Sequence, residues 1–303
     1  MAANKFSEAK PRIAAVVNGF ATGILKQIDI SGLLDEHRES WNLSKSLTGP
    51  VFARRLVDAK ILREHVFPFP QRREKRFAKV KIPMLEVLQS VRNNAYFTHA
   101  FAMQAHHISQ PGLCDIYLNF EQPAHERGGL PEQKSIDLAF RSKPRSTTNF
   151  IQFDNHKIVM LNGMSTGLLG VETLGVRTVH SEPATVRVTD LERTLIDIVV
   201  RPHYAGGVEN VFRGFILARD RIDIEKMAGY LTALDYVYPY HQAVGWYLSQ
   251  AGFSDGQLAS FRVRPRDRNF YLAHQMTDPV LDEHWKIYVP RNFGAERGLY
   301  LEP

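Results

Sequence analysis

Residues 189–207, TDLERTLIDIVVRPHYAGG, carry the densest run of structural signals in the chain. Thr189 is a residue type that caps the free N–H groups of a first helical turn, and Glu192, three positions on, completes a capping box. Leu191, Leu195, Ile198 and Val199 recur at helical spacing and predict one apolar stripe facing a core. Arg193 and Asp197 lie one turn apart on another face, where such a pair contributes about 0.3 kcal/mol. Pro202 ends the helix and Gly206-Gly207 turns the chain. The pattern predicts a buried hinge helix between a strand-rich region before it and a run of helices after it.

On the upstream side, IYLNF, the pair NFIQF and KIVML joined by Asp154-Asn155-His156-Lys157, then VRTV and ATVRV alternate as strands do and imply a mixed sheet over residues 113–188. ERGGLPEQ and RSKPRSTT between them are polar loops. In the second of these, Arg141, Lys143 and Arg145 form a small basic group that suits a solvated loop or an extension of a polyanion surface. Before the sheet, PMLEVLQSV predicts one helix, and Thr98 caps another running from His99 to His107. Downstream, Val208, Val211, Phe212 and Phe215 share a helix face, and Asp223 caps a helix carrying Ile224, Met227, Leu231 and Leu234. A third helix, about 240–250, carries Val244, Tyr247 and Leu248, with Gly245 allowing close approach. Arg262, Arg264, Arg266 and Arg268 alternate as along a strand face, exposed or functional, and HWKIYVP is a further strand piece.

The same central stretch, followed by VENVF, resembles the C-terminal domain of the AbiEi family of bacterial antitoxins, which partner nucleotidyltransferase toxins. NAYFTHAFAMQAHHIS, IYLNFEQP and IVMLNGMSTGLLGVETLG resemble other segments of that family, so the resemblance spans most of the chain. It implies a protein that represses its own operon and counters a cognate toxin, with neutralisation assigned to the part after about residue 83. It leaves open whether the toxin is bound directly.

Charge gives a separate line of argument. Residues 44–82 hold eleven Lys/Arg against three Asp/Glu, whereas residues 1–43 balance at five each and the remainder holds 22 against 24. All the excess positive charge therefore falls in one segment, the footprint of a polyanion contact. Residues 6–41 suggest two helices. In NLSKSLTGPVFARRLVDAKIL, Thr48 or Ser46 can cap, Pro50 suits the first turn, Phe52, Leu56 and Ala59 face inward, and Ala53, Arg54 and Val57 lie on another face. HVFPFP and RFAKVKIP then read as a hairpin joined by QRREK.

Three helices and a basic hairpin are the plan of a winged helix-turn-helix, whose third helix enters the DNA major groove while the wing rests on the backbone. The expected fold is therefore α+β: a winged helix-turn-helix over residues 1–82, then a larger mixed α/β domain, residues 83–303, with a C-terminal helical part. On this plan Ser44, Lys45, Ser46 and Thr48 meet phosphates or base edges, and Arg54 reads a base. Arg55 either joins the contact or pairs with Asp58. Arg72, Arg73, Lys75 and Arg76 on the wing bind phosphate with steep salt dependence. A solvated basic face is the plain alternative.

Composition and motifs restrict the chemistry. With 44% apolar and 23% charged residues the chain has the make-up of a globular protein, and no apolar run approaches the roughly 20 residues of a membrane span. MAANKFSEAKPR has no apolar signal core, so a cytoplasmic protein without membrane contact is expected. The single cysteine, Cys114, excludes an internal disulfide and has no evident base beside it. There is no GxxxxGK[ST], GxGxxG after a strand, HExxH or GxSxG, and no GS with paired aspartates. His99, Met103 and His106 share a face without a carboxylate or cysteine to complete a metal site. Glu192, Asp197, His203 and Tyr204 are close in sequence, but a cap and an ion pair account for the first two. Hence no catalytic residue, metal or cofactor is expected, and the partners are double-stranded operator DNA and the toxin. The competing readings are a nucleic-acid-processing enzyme with a basic docking domain and a stand-alone transcriptional repressor; an adjacent nucleotidyltransferase gene favours the antitoxin.

Overall fold

Apolar residues at Phe6, Ala9, Ile13 and Val17 recur every three or four positions, and they make the first helix, α1 (Ala2–Gly19), one-sided. After it come β1 (Ile24–Leu25), α2 (Gln27–His37), α3 (Gly49–Asp58), β2 (Leu62–Pro68), β3 (Arg73–Lys79) and α4 (Met84–Gln89). The computed structural model describes residues 2–110, 112, 115–126, 128–153, 156–177 and 182–293. It is a mixed α+β protein with two compact units, residues 1–95 with 175–186 and residues 96–174 with 187–303. The first unit thus extends past the expected boundary at residue 82 and takes in a later segment.

In the first unit, β1, β3 and β2 form an antiparallel sheet in that order, with Leu62 opposite Lys79 and Pro68 opposite Arg73. β1 was not legible in the sequence, because two residues carry no periodicity. Phe6, Ile13, Ile30, Leu34, Trp41, Phe52, Leu56 and Phe77 make the core. Ala53, expected on an outer face, is also buried. Neither Ser46 nor the Thr48 side chain caps α3; Thr48 stands at the N-cap position without a side-chain hydrogen bond, and Pro50 occupies the first turn. Gly49 is required for packing, since a Cβ there would lie 2.0 Å from the Ser31 Oγ of α2.

The second unit contains β4 (Tyr96–Thr98), α5 (His99–Ala105), β5 (Ile116–Glu121), α6 (Gln133–Arg141), β6 (Phe150–Phe153), β7 (His156–Gly163) and α7 (Leu191–Val200), while β8 (Val171–Val176) and β9 (Ala184–Thr189) each fall partly in either unit. It continues with α8 (Val208–Ala218), α9 (Ile224–Leu234), α10 (Tyr240–Gln250), α11 (Ala259–Arg262), β10 (Phe270–Tyr271), β11 (Pro279–Asp282) and β12 (Ile287–Pro290). The six-stranded sheet runs β6-β7-β5-β4-β9-β8 and is mixed, with β5 parallel to β7 and antiparallel to β4. A small sheet, β10-β12-β11, follows the helices. Cys114 and the turn residues Asp154 and Asn155 lie outside the described residues, as do Thr178 and Val179 of VRTV; the strand there begins earlier, at Val171, and ends at Val176.

α7 is the centre of this unit and packs against α5, α8, α9 and α10. It is buried on every side rather than along one stripe: Leu195, Ile196 and Ile198 are fully enclosed, and so, nearly, are Glu192, Arg193, Thr194 and Asp197. Thr189 is not its cap, because it is still part of β9. Asp190 takes the role and accepts from the Arg193 N–H at 2.9 Å. Glu192 is drawn away from the helix start to the next helix, accepting from Asp223 N at 3.0 Å and pairing with Lys226 at 2.7 Å. The cap expected at Thr98 is also absent, since its hydroxyl donates to Asp197 Oδ2 at 2.9 Å.

Downstream the local signals hold: Asp223 caps α9 by accepting from Lys226 N at 2.9 Å. The tail arginines are a correction. Arg262 lies in α11, and Arg264 and Arg266 donate to the carbonyls of Ala228 and His284, so they tie the tail down instead of lining a strand. Among the described residues, no helix is long and apolar enough to cross a membrane.

Candidate nucleic-acid interface

Every residue expected to meet DNA lies in the first unit. The segment before α3 is shaped by Arg38, whose Nη1 donates to the carbonyls of Ser44 at 2.7 Å and Leu47 at 2.9 Å. That staple leaves Ser44, Lys45, Ser46 and Thr48 exposed at the N-terminal end of α3, where unpaired backbone N–H groups favour an anion. Arg54 is exposed on the same helix. Arg55 is half-buried, with its guanidinium carbon 5.9 Å from the Phe6 ring centroid. Lys5, Ser44, Ser46 and Arg55 share a small cleft of about 130 Å³.

The hairpin contributes a larger feature, a groove of about 550 Å³. Arg72, Arg73 and Lys75 line it, and they are joined by Lys26 at the start of α2, by Arg76 and by Arg92. One carboxylate, Glu74, lies at its base, 3% exposed, and pairs with Arg72 at 3.3 Å, Arg76 at 3.4 Å and Arg92. With Arg76 turned inward, Lys26, Arg72, Arg73, Lys75 and Arg92 against Glu74 and Glu64 leave a net positive concavity beside a helix N-terminus. Lys75 also reaches Glu64 across the hairpin at 2.6 Å.

Lys26 and Arg92 were not expected from the sequence. They come from outside the basic window, and no local signal joins them to it. Arg76 is the converse case. It is 6% exposed, and its donors go to the carbonyls of Ser90 and Val91, so it braces the fold and is not a phosphate contact. Strand geometry explains this, because residues two apart share a face: Arg73 and Lys75 point outward together, Glu74 and Arg76 inward. Arg76→Ala is therefore expected to lower the stability of this unit by about 1–3 kcal/mol, read as a shifted melt.

No protein-family model matches the chain, and no curated protein does. Among solved structures the chain is similar to the RV2827C protein from Mycobacterium tuberculosis, with 12% identity over 93% of this chain and 91% of that one and a TM-score of 0.53. The likeness is one of fold.

The acid–base group weighed in the sequence is accounted for differently. Glu192 and Asp197 are engaged as described. His203 is half-buried, and burial holds its pKa down at about 4, with the Arg201 charge adding to the effect. Tyr204 packs its ring at a tilt against His203 and Tyr117, with centroids 4.1 and 4.9 Å away. His99 and Met103 are buried, His106 bonds to the Thr189 carbonyl at 2.7 Å, and no metal-holding group occurs among the described residues.

Proposed function

We propose that this protein is a DNA-binding transcriptional repressor whose first unit is a winged helix-turn-helix, and that it serves as the antitoxin of a nucleotidyltransferase toxin. The observation that carries the DNA-binding reading is the groove where Lys26, Arg72, Arg73, Lys75 and Arg92 gather around one buried carboxylate. The order α1, β1, α2, α3, β2, β3 supports it, since helix, strand, helix, helix and a two-stranded wing is the arrangement that presents a third helix to the major groove. The antitoxin part rests on the resemblance of the central and C-terminal segments to the AbiEi family. On this reading the protein acts in the cytoplasm, on operator DNA and against its toxin, and catalyses no reaction.

Roles divide between helix and wing. Arg54→Ala is expected to weaken specific binding by about 1–3 kcal/mol and to relax the preference at one base pair. Arg73→Ala should weaken specific and random DNA alike and flatten the salt slope by about one unit. Fluorescence anisotropy on operator and scrambled duplexes across a salt series measures both. Equal effects of the two substitutions on the two duplexes would remove the assignment. Growth on co-expression with the neighbouring open reading frame tests the antitoxin function; a neighbour that is not a nucleotidyltransferase, or failure of the full chain to restore growth against one that is, sinks it.

A further inference from the structure

The second unit holds a cavity of about 760 Å³ that the proposed DNA contact does not use. Residues of β4, β5, β7 and α7 meet there with the segment 235–240. Its walls are rich in phenol rings: Tyr96, Tyr204, Tyr236, Tyr238 and Tyr240. Burial raises the pKa of Tyr236 well above the usual phenol value, so its hydroxyl remains a donor at neutral pH; the Tyr96 hydroxyl is already engaged, accepting from Asn119 at 2.8 Å and donating to Glu121 at 3.4 Å.

His99 is the most constrained residue of the wall. Its φ of 52° is in the left-handed region, which a non-glycine residue rarely adopts. It is 8% exposed, and its Nδ1 has no hydrogen-bond partner among the described residues. Its ring is wedged edge-on against Tyr204 at 5.3 Å. Burial, opposed in part by Asp197, holds its pKa at about 4, so the ring is neutral and Nδ1 can accept or donate according to tautomer. An unsatisfied buried atom in the wall of a cavity is what a ligand would satisfy, and strained backbone gathers at such sites.

The charges select the ligand. Arg193 and Asp197 neutralise each other at 2.8 Å. Arg201, half-buried at the end of α7, has no carboxylate partner among the described residues, and its charge reaches His99 and His203. Arg145 stands exposed at the rim, as do Glu126 and Asp235. The interior therefore offers several flat rings, an unsatisfied hydrogen-bonding edge and one cation. A flat heteroaromatic ring joined to an anionic group matches all three, and the volume falls within the roughly 300–1,000 Å³ of small-molecule sites.

We propose that the cavity binds a nucleoside monophosphate, its base among the tyrosines and hydrogen-bonded to His99, its phosphate on Arg201 and Arg145. The test is calorimetric titration of the full chain with AMP, GMP, CMP and UMP, with the parent nucleosides and with inorganic phosphate. At least one nucleotide should bind saturably, one per chain, and its nucleoside more weakly. Arg145→Ala, on the exposed rim, should weaken the nucleotide about tenfold and leave the nucleoside unchanged. His99→Asn, which keeps a residue tolerant of left-handed backbone, should weaken both. Arg73→Ala should alter neither. The proposal is overturned if no nucleotide binds more tightly than about 1 mM, if phosphate alone binds as well as the nucleotide, or if binding is lost with Arg73→Ala but kept with Arg145→Ala.

Discussion

Replacing Asp197 by alanine is expected to lower the stability of the second unit by about 3–5 kcal/mol, the usual cost of stranding one partner of a buried ion pair. Both side chains are largely enclosed, at 9% exposure for Asp197 and 5% for Arg193. One carboxylate oxygen accepts from Arg193 Nε at 2.8 Å and the other from the Thr98 hydroxyl at 2.9 Å. Without Asp197 the guanidinium keeps the Leu169 carbonyl at 2.7 Å, but a carbonyl dipole does not neutralise a buried cation. Nor does the cation readily discharge, because a guanidinium stays protonated in proteins; in the parent, burial lowers the Arg193 pKa and Asp197 more than reverses that. At roughly 2–4 °C per kcal/mol for a unit of this size, the melt should fall by on the order of 10 °C. The paired change Arg193→Met with Asp197→Leu removes both charges and should recover much of the loss. A single variant that melts with the parent would mean that the pair is not buried.

Gly245→Ala should destabilise the same unit by about 1–3 kcal/mol, although alanine is the better helix former by about 1 kcal/mol. The added methyl would lie 2.2 Å from Cζ3 and 2.4 Å from Cη2 of Trp285. That indole cannot swing aside cheaply. Its Nε1 donates to Ser249 Oγ at 3.1 Å, its carbonyl accepts from Gln242 Nε2 at 2.9 Å, and its backbone N–H donates to Asp282 at 2.9 Å. Ser249 and Gln242 both belong to α10, so ring and helix are held together on either side of the glycine. Steric overlap against a fixed ring outweighs the propensity gain. Denaturant unfolding followed by tryptophan fluorescence reads the change, and an unchanged or raised midpoint would mean that the indole is free to move.

Both residues were visible in the sequence, and each was only half understood there. The one-turn spacing of Arg193 and Asp197 identified the pair, yet as an outer-face pair contributing tenths of a kcal/mol. Its tenfold larger consequence comes from α5, α8, α9 and α10 enclosing α7, which no spacing within residues 189–207 encodes. Gly245 was read as a point of close approach, but its partner is forty residues away. The cap of α7 shows the same limit on a smaller scale. Thr189 and Asp190 are both competent caps, and Asp190 is used because pairing in β9 already holds Thr189. The candidate DNA surface divides in this way too. The excess charge of residues 44–82 was plain, as was the hairpin, whereas the groove needs Lys26 and Arg92 from either side of that window.

Chain order alone determined where elements begin and end wherever a residue's own backbone chemistry sets the limit: Pro50 opening α3, Pro202 closing α7, Asp223 starting α9. It also determined that the positive charge is concentrated near one end. Which way each charged side chain turns was decided only in three dimensions, as Arg76 under the wing and the tail arginines on backbone carbonyls make plain. The physical reason is range. Caps and turns act through atoms a few residues apart, while the burial of a charge is governed by every partner and every layer of covering atoms that the fold brings to it.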